Sequence, residues 1–384
     1  MEYINLNELC DINIGKTPSR SKPEYWGEGK KWLAISDLKE KYIYETKEEI
    51  TKLAIEKCNM KMVPKDTVVM SFKLSIGKLG IVKDDMFTNE AIANFKIKNK
   101  SLITKEFLYY ALMTVNFNNT DRAVMGATLN KAKLNTIKIP YFEVRVQDKI
   151  VNTLNKAKEL IDKRKEQIEA LDELVKSKFI EMFGDPYLNP KGWEVNNYEE
   201  ICNFITDGEH TTPKRCDEGI YLLSARNVLN HSLQLDDVDF IDEDEYIRIS
   251  KRIVPEENDI LISCSGSVGR VCKVPKNFKF QMVRSVAILK LNENINATFM
   301  EWLIDSNYTQ QQILKSINQS SQANLFQGKI KQLKAIVPPM ELQNQFADFV
   351  KQIDKLKFEM EKSLKELEDN FNSLMQRAFN GELF

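Results

Sequence analysis

The chain has 384 residues, 42% hydrophobic and 29% charged, enough apolar material for two or three packed domains. No run approaches the ~20 apolar residues of a membrane span, and residues 1–15 lack a basic-then-apolar signal pattern. The net charge of −1 argues against a small, strongly basic nucleic-acid module, but it hides an asymmetry. Residues 1–185 hold 32 basic and 27 acidic side chains, and residues 186–384 hold 23 and 29.

The first 140 residues carry short strand-like runs such as Thr67–Met70 and Ala93–Ile97, and loops at Gly15–Pro18 and Trp26–Gly29. A helix-like segment from Lys105 to Val115 presents Phe107, Leu108, Ala111 and Leu112 on one side. Pro140 punctuates the chain. A heptad pattern then follows, with Ile150, Leu154, Ala157, Ile161, Ile168, Leu171, Val175 and Met182 on one seam. Phe183-Gly184-Asp185-Pro186 supplies a glycine stop followed by proline. The six cysteines (Cys10, Cys58, Cys202, Cys216, Cys264, Cys272) are dispersed without a C-x-x-C pair, which suits reduced thiols and a cytoplasmic location.

From about residue 193 the chain repeats itself. Leu9-Cys10 corresponds to Ile201-Cys202, and the loop at Gly15–Pro18 to Asp207–Pro213. Trp32–Ser36 corresponds to Tyr221–Ser224, and Val63-Pro64 to Val254-Pro255. Ser71, Ser75 and Gly77 match Ser263, Ser267 and Gly269 at identical spacing. Ala127 and Leu129 match Ala323 and Leu325, and Ile139-Pro140 matches Val337-Pro338. The heptad seam returns 196 positions on, at Phe346, Val350, Ile353, Lys357, Met360, Leu364, Leu367, Phe371, Leu374 and Ala378.

A helix with one apolar seam needs a partner, and the other copy is the simplest one. Antiparallel pairing sets Ile150 against Ala378, Leu154 against Leu374, Ala157 against Phe371 and Met182 against Phe346, so that small tends to meet large. Two layers are imperfect, Arg164 opposite Leu364 and Leu171 opposite Lys357, and both long side chains are expected to snorkel to the rim. The expected fold is α+β: two pseudo-twofold-related globular domains separated by a long antiparallel two-helix coiled coil. The expected boundaries are 1–140 for the first head, 141–184 for the first helix, 185–338 for the second head with its linker, and 339–384 for the second helix. Two divergent heads on a spacer suit a bipartite target, because twofold-related readers on DNA sit a fixed number of base pairs apart. A coiled-coil scaffold with two protein-binding heads is the alternative of another class.

Over its whole length the chain resembles the specificity subunit of type I restriction–modification systems. The resemblance rests on the duplicated head-plus-helix plan, the loop Asp207–Pro213, and Gly15–Ser19 with Tyr25-Trp26-Gly27 in the first head. Gly266–Arg270 and the closing Ala378–Leu383 add to it. It implies two target-recognition domains reading an interrupted, asymmetric DNA sequence. It also implies helices that dock two methyltransferase (modification) subunits, with restriction and motor subunits in the full complex. S-adenosylmethionine, ATP and Mg belong to those partners, so the chain itself is expected to carry no cofactor, no metal and no catalytic residue. The recognition subunit of a type IIB restriction–modification enzyme shares this plan and is the closer alternative.

Chemistry within the chain finds no support in its motifs. Gly15-Lys16-Thr17 lacks the glycine five residues earlier that a phosphate loop needs, since that position is Cys10. Asn189-Pro190-Lys191-Gly192 and Val337–Met340 are not the Asn-Pro-Pro-aromatic site of an adenine methyltransferase. Only His210 and His231 are present, without zinc spacing, and Asp242–Glu245 reads as a solvated acidic face. The candidates for DNA contact are polar and basic: Lys16, Thr17, Ser19, Arg20, Lys22, Lys73, Ser75 and Lys78 in the first head. In the second they are His210, Thr211, Thr212, Lys214, Arg215, Arg226, Asn227, Ser263, Ser265 and Arg270. Arg226-Asn227 is notable because arginine can grip guanine and asparagine adenine in the major groove.

Overall fold

A computed structural model describes residues 2–73, 75–115, 130–318 and 324–384. Of the repeat matches, Ala127, Leu129 and Ala323 lie outside the described residues. The chain forms two compact units, Met1–Lys165 with Ser363–Phe384, and Glu166–Lys362. The two long helices, Val144–Phe183 and Met340–Phe379, each of 40 residues, contribute to both.

In the first unit the central sheet has five strands in the order Cys10–Ile14, Ile92–Ile97, Val68–Ser71, Leu79–Val82, Tyr42–Ile43. A three-stranded sheet pairs in the order Glu48–Ile50, Trp26–Leu33, Phe87–Thr88. The strand Val68–Ser71 is buried on both faces, apolar at Val68, Val69 and Met70. The helix Lys105–Met113 starts where the Thr104 side chain accepts from the Phe107 amide, relieving one of the orphan donors of a helix start. It buries Phe107, Leu108, Ala111 and Leu112 as its apolar stripe requires, and Tyr110 as well.

The second unit repeats the plan. Its four-stranded sheet runs Cys202–Asp207, Val286–Leu291, Ile260–Ser263, Val271–Lys273, the same order of equivalent strands. A three-stranded sheet pairs Ile220–Leu223 with Asp239–Ile241 and, in parallel, with Phe280–Met282. In each unit a strand before the first sheet pairs with the strand that precedes a long helix: Tyr3–Asn5 with Lys138–Pro140, and Glu194–Asn197 with Lys334–Val337.

Within each unit the start of one long helix meets the end of the other, which is the antiparallel pairing that the seams require. In the first unit Ile150, Val151 and Leu154 share a core with Met375, Ala378 and Phe379. In the second, Leu171, Val175, Phe179 and Phe183 share one with Phe346, Val350 and Ile353. The seam is wider at these ends than a strict heptad. Phe179 and Phe183, and their counterparts Met375 and Phe379, are buried although they lie beside the regular positions. The physical reason is that a helix packed against both its partner and a head helix needs a broader apolar face. Phe183 stands 4.8 Å from Phe299 and 5.5 Å from Phe346 between ring centroids, and Phe379 stands 5.2 Å from Phe107.

Lys357 does more than snorkel: its ammonium donates to the Asp172 carboxylate at 2.8 and 2.9 Å across the helix pair. A second bridge, Lys165 to Glu368 at 2.8 Å, ties the helices in the first unit. Each long helix is also locked to its own head by a buried glutamine in its first turns. The Gln147 amide donates to the carbonyls of Leu102 and Phe142 and accepts from the Thr104 amide. Gln343, 196 positions on, donates to the carbonyls of Asn294 and Pro338 and accepts from the Asn296 amide.

Candidate nucleic-acid interface

Each head presents a glycine-started loop clamped onto the segment that leads into a central strand. In the first head Gly15 N donates to Ile92 O and Lys16 N to Thr88 O, at 3.1 and 2.9 Å. In the second Gly208 N donates to Val286 O and Glu209 N to Met282 O, at 2.9 and 2.8 Å. A Cβ at Gly15 would collide with the carbonyl oxygens of Thr88 and Asn89, and one at Gly208 with those of Met282 and Val283. Glycine is required here for close backbone approach. The proline that follows is buried in both loops, Pro18 and Pro213, while the polar residues around it are exposed.

A second matched element is a tight hairpin. Ser263 Oγ donates to Ser267 O at 2.6 Å and accepts from Arg270 N at 2.9 Å. Ser71 Oγ makes the same bond to Ser75 O and accepts from Lys78 N at 3.0 Å. Gly77 and Gly269 both sit at φ of 90°, a conformation open to glycine at little cost.

Many of the predicted contact residues are held by partners within their own head. Arg20 Nη2 donates to Glu48 at 2.8 Å and its guanidinium lies 3.7 Å from the Trp26 ring centroid. The hydrogen bond to that guanidinium holds the Glu48 carboxyl below its ordinary range. Lys16 Nζ donates to the carbonyls of Cys58 and Asn59, Lys22 Nζ to the Tyr25 hydroxyl, and Ser19 bonds Ser21. Thr17 and Ser75 are exposed. In the second head His210 faces Asp207 at 3.0 Å, and Thr211 bonds Glu209. Arg215 and Arg226 share the Asp239 carboxylate, at 3.0 and 3.2 Å. Thr212 is exposed. Among the described residues Lys73, Lys78, Lys214 and Arg270 have no side-chain hydrogen bond or ion pair and remain available cations.

Three expectations need correction. Asn227 is fully buried; its Oδ1 accepts from Ser224 N and Oγ, and its Nδ2 donates to the carbonyls of Gln234 and Asp237. With its amide spent on the turn it cannot read adenine. Ser263 is likewise buried and builds the hairpin. The run Asp242–Glu245 is a helix start and not a merely solvated face. Asp242 accepts from Glu245 N at 2.8 Å, and the buried Glu245 binds Lys214 N and Arg248, placing negative charge at the helix N-terminus.

Arg226, Ser265 and Arg270 do come together. With Ser224, Ser267 and Ser285 they line an open cleft of about 440 Å³ in the second head. Ser285, whose Oγ accepts from Ala225 N at 3.0 Å, and the neighbouring exposed Arg284 carry no motif in the sequence. Aligning the strand Ile92–Ile97 with Val286–Leu291 is the signal that finds them.

His231 sits in a charged cluster of its own. Its ring stacks on Trp302 at 4.1 Å, with Nε2 3.3 Å from Asp305 and Nδ1 3.6 Å from Glu301. Burial alone would lower its pKa, but the two carboxylates raise it to about 9. Among the described residues no group of His, Cys, Asp and Glu has the arrangement of a metal site, and no helix is long and apolar enough to cross a membrane.

Comparison with known proteins bears on this geometry directly. The model of the type I restriction modification DNA specificity domain matches twice, over residues 1–170 and 190–369. The specificity subunit of the type I restriction enzyme MjaIX from Methanocaldococcus jannaschii is 27% identical over 98% of this chain and 92% of its own. That of EcoprrI from Escherichia coli is 20% identical over 93% and 88%. Among solved structures, a chain from a study of assembly and conformational transition of the type I R-M system superposes with a TM-score of 0.63, at 16% identity over 100% of this chain and 98% of that one. The S subunit of M. genitalium superposes at 0.51, at 17% identity over 98% and 96%. Two copies of the specificity domain, built on two heads of the same strand order, make this chain a member of the type I restriction–modification specificity-subunit family.

Proposed function

We propose that the chain reads a bipartite, asymmetric double-stranded DNA sequence with its two heads and docks two modification subunits on its helices. The observation that carries this reading is the matched pair of glycine-clamped loops, alike in backbone and unlike in side chains. A shared frame with divergent loop residues is what two different half-sites demand, because phosphate contacts position and base contacts specify. Catalysis then lies with the partners: they bring adenine methylation with S-adenosylmethionine, and the motor subunit brings ATP-driven cleavage with Mg.

The exposure of polar residues on both long helices supports the docking part of this reading. Lys156, Glu159, Lys163 and Glu166 on the first long helix, and Gln352, Lys355, Glu359 and Lys362 on the second, are all exposed. Co-expression with the modification subunit, followed by sizing with light scattering, is expected to give a 2:1 complex that protects one interrupted DNA sequence. A chain that ignores the modification subunit, or a complex without sequence-dependent protection, would contradict the proposal and favour a protein-binding scaffold.

A further inference from the structure

The two heads carry opposite charges at a place that no motif marks. Glu90 in the first head and Arg284 in the second each lie two residues before a central strand, Ile92–Ile97 and Val286–Leu291. Both are exposed. Among the described residues neither side chain makes a hydrogen bond or an ion pair within the chain. Both follow directly on the carbonyls against which the loop glycines are clamped, Asn89 behind Gly15 and Val283 behind Gly208. In the second head the junction is closed by Arg284 N donating to Glu209 O at 3.0 Å. The backbone therefore holds both side chains at the same place beside the candidate loop.

The charge at that place is inverted. In the second head Arg226 and Arg270 line the cleft at the adjoining Ser285, whereas in the first the nearby cation that Glu90 feels is Arg20, itself held by Glu48. A position that contacts the DNA backbone would not be acidic in one head and basic in the other, because every duplex presents the same phosphates. Base edges do differ. Arginine donates two hydrogen bonds to O6 and N7 of guanine, and a carboxylate accepts from the N4 amino group of cytosine. Both side chains have their full hydrogen-bonding capacity free. Resting on the DNA-reading role proposed above, we infer that residues 90 and 284 are register-equivalent specificity-determining positions, Glu90 reading a cytosine in one half-site and Arg284 a guanine in the other.

The test uses the full chain in complex with its modification subunits, with methylated sites mapped across a genome. The wild-type complex comes first: failure to give any interrupted motif would sink the parent reading and leave nothing to assign. Given a motif, Arg284→Ala and Arg284→Lys should each relax one G·C position of one half-site, with preference falling roughly tenfold to hundredfold, and leave the other half unchanged. Glu90→Ala should relax one position in the opposite half. Arg284→Lys is the discriminating variant, since a lysine retains charge but not the two-pronged fit to guanine. An unchanged motif for all three variants would overturn the inference. So would a uniform loss of methylation on all sequences, with Arg284→Lys close to wild type, because that is the behaviour of a phosphate contact. Melting of each complex separates a folding defect from a reading defect: a variant that relaxes its position while melting as wild type supports the assignment.

Discussion

At the scale of single residues, the buried glutamines and the protonated histidine carry the clearest consequences. Gln147 and Gln343 each satisfy three backbone groups at the junction of head and helix. Replacing Gln343 with leucine leaves the Asn296 amide and two carbonyls without that partner, at a cost of about 1–3 kcal/mol for each group left dry. Denaturant unfolding of Gln343→Leu should show a lower midpoint, and an unchanged midpoint would mean that water takes over the role. His231 titrates in the other direction from a typical carboxylate. Its folded pKa is raised to about 9 by Asp305 and Glu301, against the burial that would lower it, so its contribution is complete below the ordinary histidine value of about 6.5 and is lost as pH rises toward and through 9. Thermal melts between pH 6 and 10 should fall across that window in the wild type and less steeply in His231→Gln. Parallel curves would contradict the assigned protonation.

At the scale of elements, the repeat makes much of the architecture legible in the sequence alone. Seven apolar seam positions recur as apolar residues at one offset, and an apolar stripe of that period has to be buried against something. The matched serines and glycines likewise announce one hairpin twice. What the sequence concealed is also physical. Phe179, Phe183, Met375 and Phe379 fall off the regular seam because the helix ends pack on two neighbours, and a heptad template counts only one. Asparagine at 227 suits adenine, yet the same amide can close a turn, and only tertiary placement distinguishes the two uses. Asp242–Glu245 is ambiguous for a similar reason, since an acidic run suits open solvent and a helix start equally. Glu90 and Arg284 belong to no motif. They become visible only when strand register aligns the heads, as a one-residue slip would have changed the comparison.

At the scale of the whole molecule, the chain has two separate hydrophobic cores with one design. Leu6, Phe95 and Phe107 belong to one, and Leu289, Phe299 and Phe346 to the other. Separate cores would let the proposed readers diverge without disturbing each other, since residues distant from one another in separate cores act nearly additively. The central claim is thus a modular reader, and the most direct measurement is an exchange. Residues 1–140 are replaced by the corresponding head of a family member with a different target, the hybrid is co-expressed with the modification subunits, and methylated sequences are mapped. The account predicts a hybrid motif in which one half-site is new and the other is retained. A hybrid that melts as the parent does but changes both halves together, or neither, would contradict it.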